Sequence, residues 1–210
     1  MRSTLTILAL ISLLIPSFEL CAQNWEMKKN ENGIAVYTAA TKSGYKIFKA
    51  SMKYKTTHDA LIKLVKDTAT APRWMYKCSQ LEILKYPSHY TWITRTSIEM
   101  PWPIDDRDIV AKLSLVKIPN GYEVKIKSIP KFIRIHDDYV RLNMAEGFWR
   151  FQNIKNGEIK ITYQFLSEPE GLPSWIVNLF IVDAPFDTLK NMKKMLELQQ
   201  YKSAKLHYLH

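Results

Sequence analysis

Residues 90–129 read YTWITRTSIEMPWPIDDRDIVAKLSLVKIPNGYEVKIKSI, and this stretch decides the fold. Trp92, Thr94, Thr96 and Ile98 fall on one side of an extended chain, with Arg95 and Glu99 on the other. After the turn-forming run Pro101 to Asp106 the pattern resumes, with Ile109, Ala111, Leu113 and Leu115 set against Lys112 and Ser114. After Asn120-Gly121 it resumes again, with Tyr122, Val124 and Ile126 set against Glu123, Lys125 and Lys127. Successive side chains of a strand point to opposite faces, so this period of two predicts three strands, and the Asn-Gly pair predicts a tight reversal between the last two.

Working outward, Leu81 to Tyr86, Tyr139 to Phe151 and Glu158 to Ser167 read as further strands, separated by turn signals such as Pro87-Ser88 and Asn156-Gly157. Val140, Leu142 and Met144, then Ile159, Ile161, Tyr163 and Phe165, extend the apolar face; Arg141, Lys160 and Gln164 extend the polar one. Upstream, Ile34 to Ala40 and Tyr45 to Tyr54 form a hairpin around Lys42-Ser43-Gly44. The sum is an antiparallel meander with one wet and one dry face. Thr57 is placed to cap a helix through Ala60, Leu61, Leu64 and Val65, which Pro72 is expected to stop, with a short second helix starting at Trp74 to Tyr76. From Pro173 onward Trp175, Ile176, Leu179 and Phe180, then Leu189, Met192, Met195 and Leu196, recur at helical spacing, with Pro185 allowing a kink or restart. The predicted class is therefore α+β, a long curved antiparallel sheet wrapped around a C-terminal helix.

The 210 residues are 47% hydrophobic and 24% charged, which excludes disordered, collagen-like and low-complexity classes. Residues 1–22 follow the plan of a secretory signal peptide: Arg2, an apolar run from Leu5 to Ile15, and Leu20-Cys21-Ala22 before cleavage. Acylation of Cys21 is disfavoured because Leu20 stands where a small residue is needed. The expected mature chain is a single domain over residues 23–210, periplasmic or secreted, with Cys78 its lone cysteine and no internal disulfide. The net charge of +10 favours an anionic partner surface. No nucleic-acid motif is present, and the chain is expected to act as a monomer. Neither Asp105, Asp106 and Asp108 nor His136, Asp137 and Asp138 has a recognised metal-ligand spacing, so neither a metal nor a cofactor is expected. Arg107 beside Asp108 reads as serving a structural ion pair or a loop-to-strand junction, and Cys78 as a small buried apolar residue.

Four landmarks carry a family resemblance: Asn32-Gly33-Ile34-Ala35-Val36-Tyr37; Met100-Pro101-Trp102-Pro103 with Asp106-Arg107-Asp108; Val140-Arg141-Leu142 leading to Gly147-Phe148-Trp149; and Gly171-Leu172-Pro173-Ser174-Trp175-Ile176-Val177-Asn178. In order and spacing they resemble the START (steroidogenic acute regulatory protein-related lipid transfer) domain across nearly the whole mature chain. The resemblance implies a helix-grip fold whose sheet encloses a hydrophobic tunnel under the C-terminal helix, and binding or transfer of one lipid or sterol-like molecule. The acid and arginine of sterol-binding members fall near Thr96 and Leu113 here, neither charged, which counts against cholesterol-type recognition.

On that basis the expected ligand-binding residues on the sheet are Trp92, Thr94, Thr96, Leu113, Val124, Ile126, Ser128, Leu142, Met144, Tyr163 and Phe165. On the C-terminal segment they are Trp175, Leu179, Leu189, Met192 and Leu196. Periodicity alone does not separate a cavity wall from a filled core. The stretch Lys131-Phe132-Ile133-Arg134-Ile135, within the 130–138 loop, is either a gate that dips into an anionic membrane surface or a loop folded onto the core. Lys190, Lys193 and Lys194, with Lys202 and Lys205, are a solvated face that could extend such a contact. Three functions follow: a non-enzymatic lipid carrier; an aromatase/cyclase-like or hydrolase-like enzyme acting on a polyketide-type substrate in the same cavity; or a ligand-sensing module. The first leads because no carboxylate or His falls on the inward face to do acid–base work.

Overall fold

The computed structural model describes residues 24–169 and 171–209; residues 1–22, expected to be a signal peptide, lie outside the described residues. The alternating stretches become strands wherever their dry faces share one cover. These are β1 Glu26–Glu31, β2 Ile34–Ala40, β3 Lys46–Tyr54, β4 Cys78–Ser88, β5 Thr91–Ile98, β6 Arg107–Ile118, β7 Gly121–Ser128, β8 Val140–Arg141, β9 Met144–Asn153 and β10 Ile159–Glu168. Among the described residues they form one ten-stranded sheet in the order β1-β2-β3-β10-β9-β7-β6-β5-β4. Every neighbouring pair along that path is antiparallel, and β8 joins the end of β6 in parallel.

The cover comes from both ends of the chain. Helix α1 (His58–Lys66) starts where the Thr57 hydroxyl accepts from the Ala60 N–H at 3.1 Å, as its sequence predicts. It ends at Lys66, well before Pro72. Pro72 instead sits in the first turn of α2 (Ala71–Trp74), where its missing N–H costs nothing, so the expectation that it terminates α1 is corrected. Helices α3 (Ser174–Asn178), α4 (Asp183–Leu196) and α5 (Gln199–Lys202) follow the last strand, with Pro185 in the first turn of a restarted α4. Tyr201 of α5 is fully buried, its hydroxyl donating to Asp67 at 2.7 Å and lying 2.8 Å from the Thr70 hydroxyl, which ties the chain's end to the α1–α2 connection.

Three further readings are revised. β1 (EMKKNE) carries no apolar alternation and is an exposed edge strand, so no periodic signal marks it. The single strand expected over Tyr139 to Phe151 is interrupted between Arg141 and Met144, and the break shifts the phase. β9 buries Ala145, Trp149 and Phe151, while Met144 shares its parity with exposed Glu146. Finally, the outer face is not wet throughout: Asp108, Arg141 and Glu123 are all buried.

Glu123 accepts from Arg150 Nε at 2.6 Å, while Asp108 and Arg141 belong to a separate ion network. Asp108 accepts from Arg141 Nε at 2.5 Å and Nη2 at 2.8 Å, and from Arg95 Nε at 2.8 Å. Arg141 donates onward to the carbonyls of Pro130 and Ile133, at 2.8 and 3.2 Å, so it holds the 130–138 loop against the outside of the sheet. Burial opposes ionisation of Asp108, but the hydrogen bonds and charges of Arg141 and Arg95 outweigh it and leave the carboxyl below its ordinary value. A depressed carboxyl pKa contributes stability above the unfolded value, and that contribution is lost as pH falls through the folded one. Asp108→Ala is therefore expected to cost about 3–5 kcal/mol at neutral pH, because two guanidinium groups lose their partner. In urea unfolding series below about pH 4 the difference between variant and parent should shrink. A difference that stays constant with pH would contradict this assignment.

Candidate functional site

Where the sheet meets the C-terminal segment the interior is only half filled. At one end Trp92, Leu189, Met192 and Leu196 are at most 2% exposed and belong to one continuous cluster. Toward the other end two adjoining cavities remain. The outer one, about 200 Å³ and partly open to solvent, lies between strand residues Phe48, Ile98, Arg107, Tyr163 and Phe165 and the segment carrying Val177, Phe180, Ile181 and Thr188. The inner one, about 120 Å³ and more enclosed, lies over Thr94, Thr96, Ile109, Leu113, Ile126 and Trp149. Met75, Ile98, Tyr163 and Phe165 border both.

The wall owes its shape to specific contacts. Tyr163 stacks on Trp149, with ring centroids 3.8 Å apart and planes at 4°, and meets Phe48 edge-on at 5.0 Å. Gly147 sits opposite Phe165 in the β9–β10 pairing, and a Cβ there would come within 2.2 Å of the Gln164 carbonyl and 2.7 Å of the Phe165 ring. Only a residue without Cβ lets the two strands approach this closely. Burial, with no hydrogen bond to offset it, drives the Tyr163 hydroxyl well above the ordinary phenol range.

Of the residues expected to bind ligand, Thr94, Thr96, Leu113, Leu142, Ile126, Tyr163 and Phe165 line one or both cavities. The others do not. Trp92, Val124, Leu189, Met192 and Leu196 are buried in the solid part of the core, where periodicity looks the same. Met144 is on the other parity of β9, as described above. The Ser128 hydroxyl donates to the Asn143 carbonyl at 3.0 Å and accepts from the Ala145 N–H at 3.1 Å, so it secures the β8–β9 break.

Trp175 and Leu179 are 65% and 64% exposed; α3 is rotated so that Val177 faces inward, with Phe180 and Ile181 following. Lys131, Phe132, Ile133, Arg134 and Ile135 line neither cavity, and Phe132 and Ile135 are exposed. Sequence reasoning missed Arg107, which does not pair with Asp108. It shares the parity of Ile109, Ala111 and Leu113 and turns into the outer cavity. That shared parity is the signal that could have found it.

Cys78 is buried against Ala71 and Leu81, and its thiol is pushed up to about 11 by burial, consistent with an inert apolar role. No group of three or more His, Cys, Asp or Glu capable of holding a metal occurs among the described residues. Nor is any helix among them long and apolar enough to cross a membrane.

A wide antiparallel sheet closed by a C-terminal helical segment over an apolar hollow defines a helix-grip domain. The sequence matches no family model. It is 31% identical over 179 residues to an uncharacterized protein of Pseudomonas aeruginosa, covering 84% of this chain and 88% of that one. A crystal structure of a STAR-related lipid transfer protein from Xanthomonas axonopodis superposes with a TM-score of 0.77 at 26% identity, over 83% of this chain and 99% of that chain. Human StAR-related lipid transfer protein 5 shares the fold, with a TM-score of 0.71 at 16% identity, over 82% of this chain and 86% of the human one. The chain belongs to the family of its Pseudomonas relative and is a START-like domain, a hydrophobic-ligand-binding fold.

Tyr163 is only partly buried and borders both cavities, so its hydroxyl contributes little to the stability of the folded state. Tyr163→Phe should accordingly leave the ligand-free protein as stable or about 1 kcal/mol more stable in urea unfolding. A loss of more than that would mean the hydroxyl has a partner that the cavity geometry hides.

Proposed function

We propose that this protein binds one lipid in the joined cavities and carries it between membranes without changing it covalently. One observation carries the reading: an apolar hollow bordered by residues from β5, β6, β10 and the α3–α4 segment, in a core that is otherwise tightly packed. Each methylene of an acyl chain costs about 0.8 kcal/mol to expose to water, so a chain of about 16 carbons faces a barrier on the order of 12 kcal/mol to spontaneous transfer. An apolar wall around the chain throughout the crossing removes most of that cost. A carrier is favoured over a catalyst because the described cavity residues include no carboxylate and no imidazole to move protons.

Release requires the cover to move, and α3 is suited to move. It has five residues, none of them buried and no side-chain cap. What holds it is polar and local: Asn178 accepts from the Lys46 N–H at 3.0 Å, and Tyr45 donates to the Leu172 carbonyl at 2.8 Å. Trp175 and Leu179 on α3, Trp102 at 93% exposure, and Phe132 and Ile135 in the 130–138 loop are exposed apolar side chains. In our reading α3 is the gate, the exposed apolar side chains of α3 and of the 130–138 loop dip into the headgroup layer, and the basic surface draws the protein to anionic lipid. The working protein is a single chain exported by residues 1–22, in the periplasm or outside the cell.

Phe132→Ser combined with Trp175→Ser should slow transfer of a fluorescent phospholipid between anionic vesicles by about tenfold while leaving its equilibrium affinity unchanged. Unchanged transfer rates would remove the gate from the account, and no transfer by the parent protein would remove the carrier. If export is as proposed, protein isolated from its native host begins at Gln23, which N-terminal sequencing checks directly.

A further inference from the structure

The cavity lining is mostly apolar, its polar side chains are uncharged hydroxyls such as Thr94 and Thr96, and the charged residues that border it, Arg107 and Lys77, carry one sign. Arg107 is only 5% exposed, yet its Nε is buried without a hydrogen-bond partner. Its Nη1 donates to the Asp105 main-chain carbonyl, and among the described residues no carboxylate lies within ion-pairing distance of it. Asp108 next along the strand is taken up by Arg95 and Arg141 on the opposite face, and Asp106 accepts from the Met100 N–H at 2.9 Å. Burial works against the Arg107 charge, while Asp105 and Asp106 favour it from outside the cavity.

A second cation borders the same cavity. Lys77 sits in the left-handed region at φ 51°, a conformation uncommon for a residue with a side chain. Its carbonyl accepts from the Glu99 N–H at 2.9 Å, which holds it there, and its ammonium lies 4.9 Å from the centre of the Phe180 ring. Among the described residues no Asp or Glu lines the outer cavity. A buried guanidinium without its own acid is costly unless something supplies an acceptor, and the inner cavity offers only apolar wall and two threonines for the rest of a ligand.

We propose, resting on the lipid-binding reading above, that the cavity selects an amphiphile with one anionic oxygen group, a carboxylate or a phosphate. Arg107 and Lys77 receive that group at the rim, and the tail lies against Ile98, Phe165 and Leu113 toward Trp149. Arg107 is thereby a specificity-determining residue rather than half of a structural pair.

The test is equilibrium binding of four probes to the full mature protein: palmitate against methyl palmitate, and dioleoyl phosphatidic acid against dioleoylglycerol. The expected result is that the acid of at least one pair binds about 10- to 100-fold more tightly than its neutral analogue, the range of a lost charge-assisted hydrogen bond. Preference confined to palmitate identifies a carboxylate ligand, and preference confined to phosphatidic acid a phosphate ligand. Arg107→Met should erase the preference while leaving the neutral analogue's affinity unchanged, Arg107→Lys should restore part of it, and Lys77→Met should reduce it. The parent protein's own ratio and the rim variant Lys77→Met keep the test decisive should Arg107→Met fail to fold. Equal affinity of the parent for acids and neutral analogues overturns this proposal and leaves the carrier reading standing. No binding of any of the four probes overturns the carrier reading itself.

Discussion

The structure turns on a buried carboxylate held by two arginines on the outside of the sheet. Asp108 has no exposure, and Arg95 from β5 and Arg141 from β8 converge on it. Because Arg141 also binds the carbonyls of the 130–138 loop, the same group joins three strands and fixes that loop on the outer surface. Alternation then does the rest: with Asp108 committed outward, Arg107 before it and Ile109 after it must face inward. The charge at the cavity rim is thus a consequence of how the strand end is anchored.

A fully packed core would be more stable, since each void gives up dispersion contacts that its lining atoms would otherwise make. The protein separates the two demands in space. The part beneath most of α4 is filled by Trp92, Leu189 and Met192, and α5 is locked on by Tyr201. The hollow starts at the end covered by α3 and the start of α4 and reaches inward beneath Val65 of α1 and Trp74 of α2, where the sheet's own hydrogen-bonded ladder and the Tyr163–Trp149 stack hold the wall apart. Stability in one half leaves the other free to stay open, a common arrangement where function needs a less than optimal core.

Much of this was legible in the sequence, and what was not has physical reasons. The strands over residues 91–128 announce themselves because a sheet with one covered face imposes strict alternation. β1 pairs through its backbone while its side chains stay in water, so composition carries no trace of it. The β8–β9 interruption shifts the phase by one, and Met144 was misassigned for that reason alone. In α3 five residues are too few to fix a helical phase, and the two largest apolar side chains, Trp175 and Leu179, turned out to face water. Trp92 and Leu113 have the same parity on paired strands, yet Leu113 borders the cavity and Trp92 is solid core; no pattern along one chain records how far a helix lies from the sheet above it. Arg107 was overlooked because a charge in an apolar register reads as a strand terminus.

The most direct measurement of the account is native mass spectrometry of the mature protein purified without detergent, with extraction and identification of whatever accompanies it. The account predicts one lipid per chain, released on denaturation and chemically intact. A protein that emerges empty and takes up no lipid from vesicles, or that returns a covalently altered product, would contradict it.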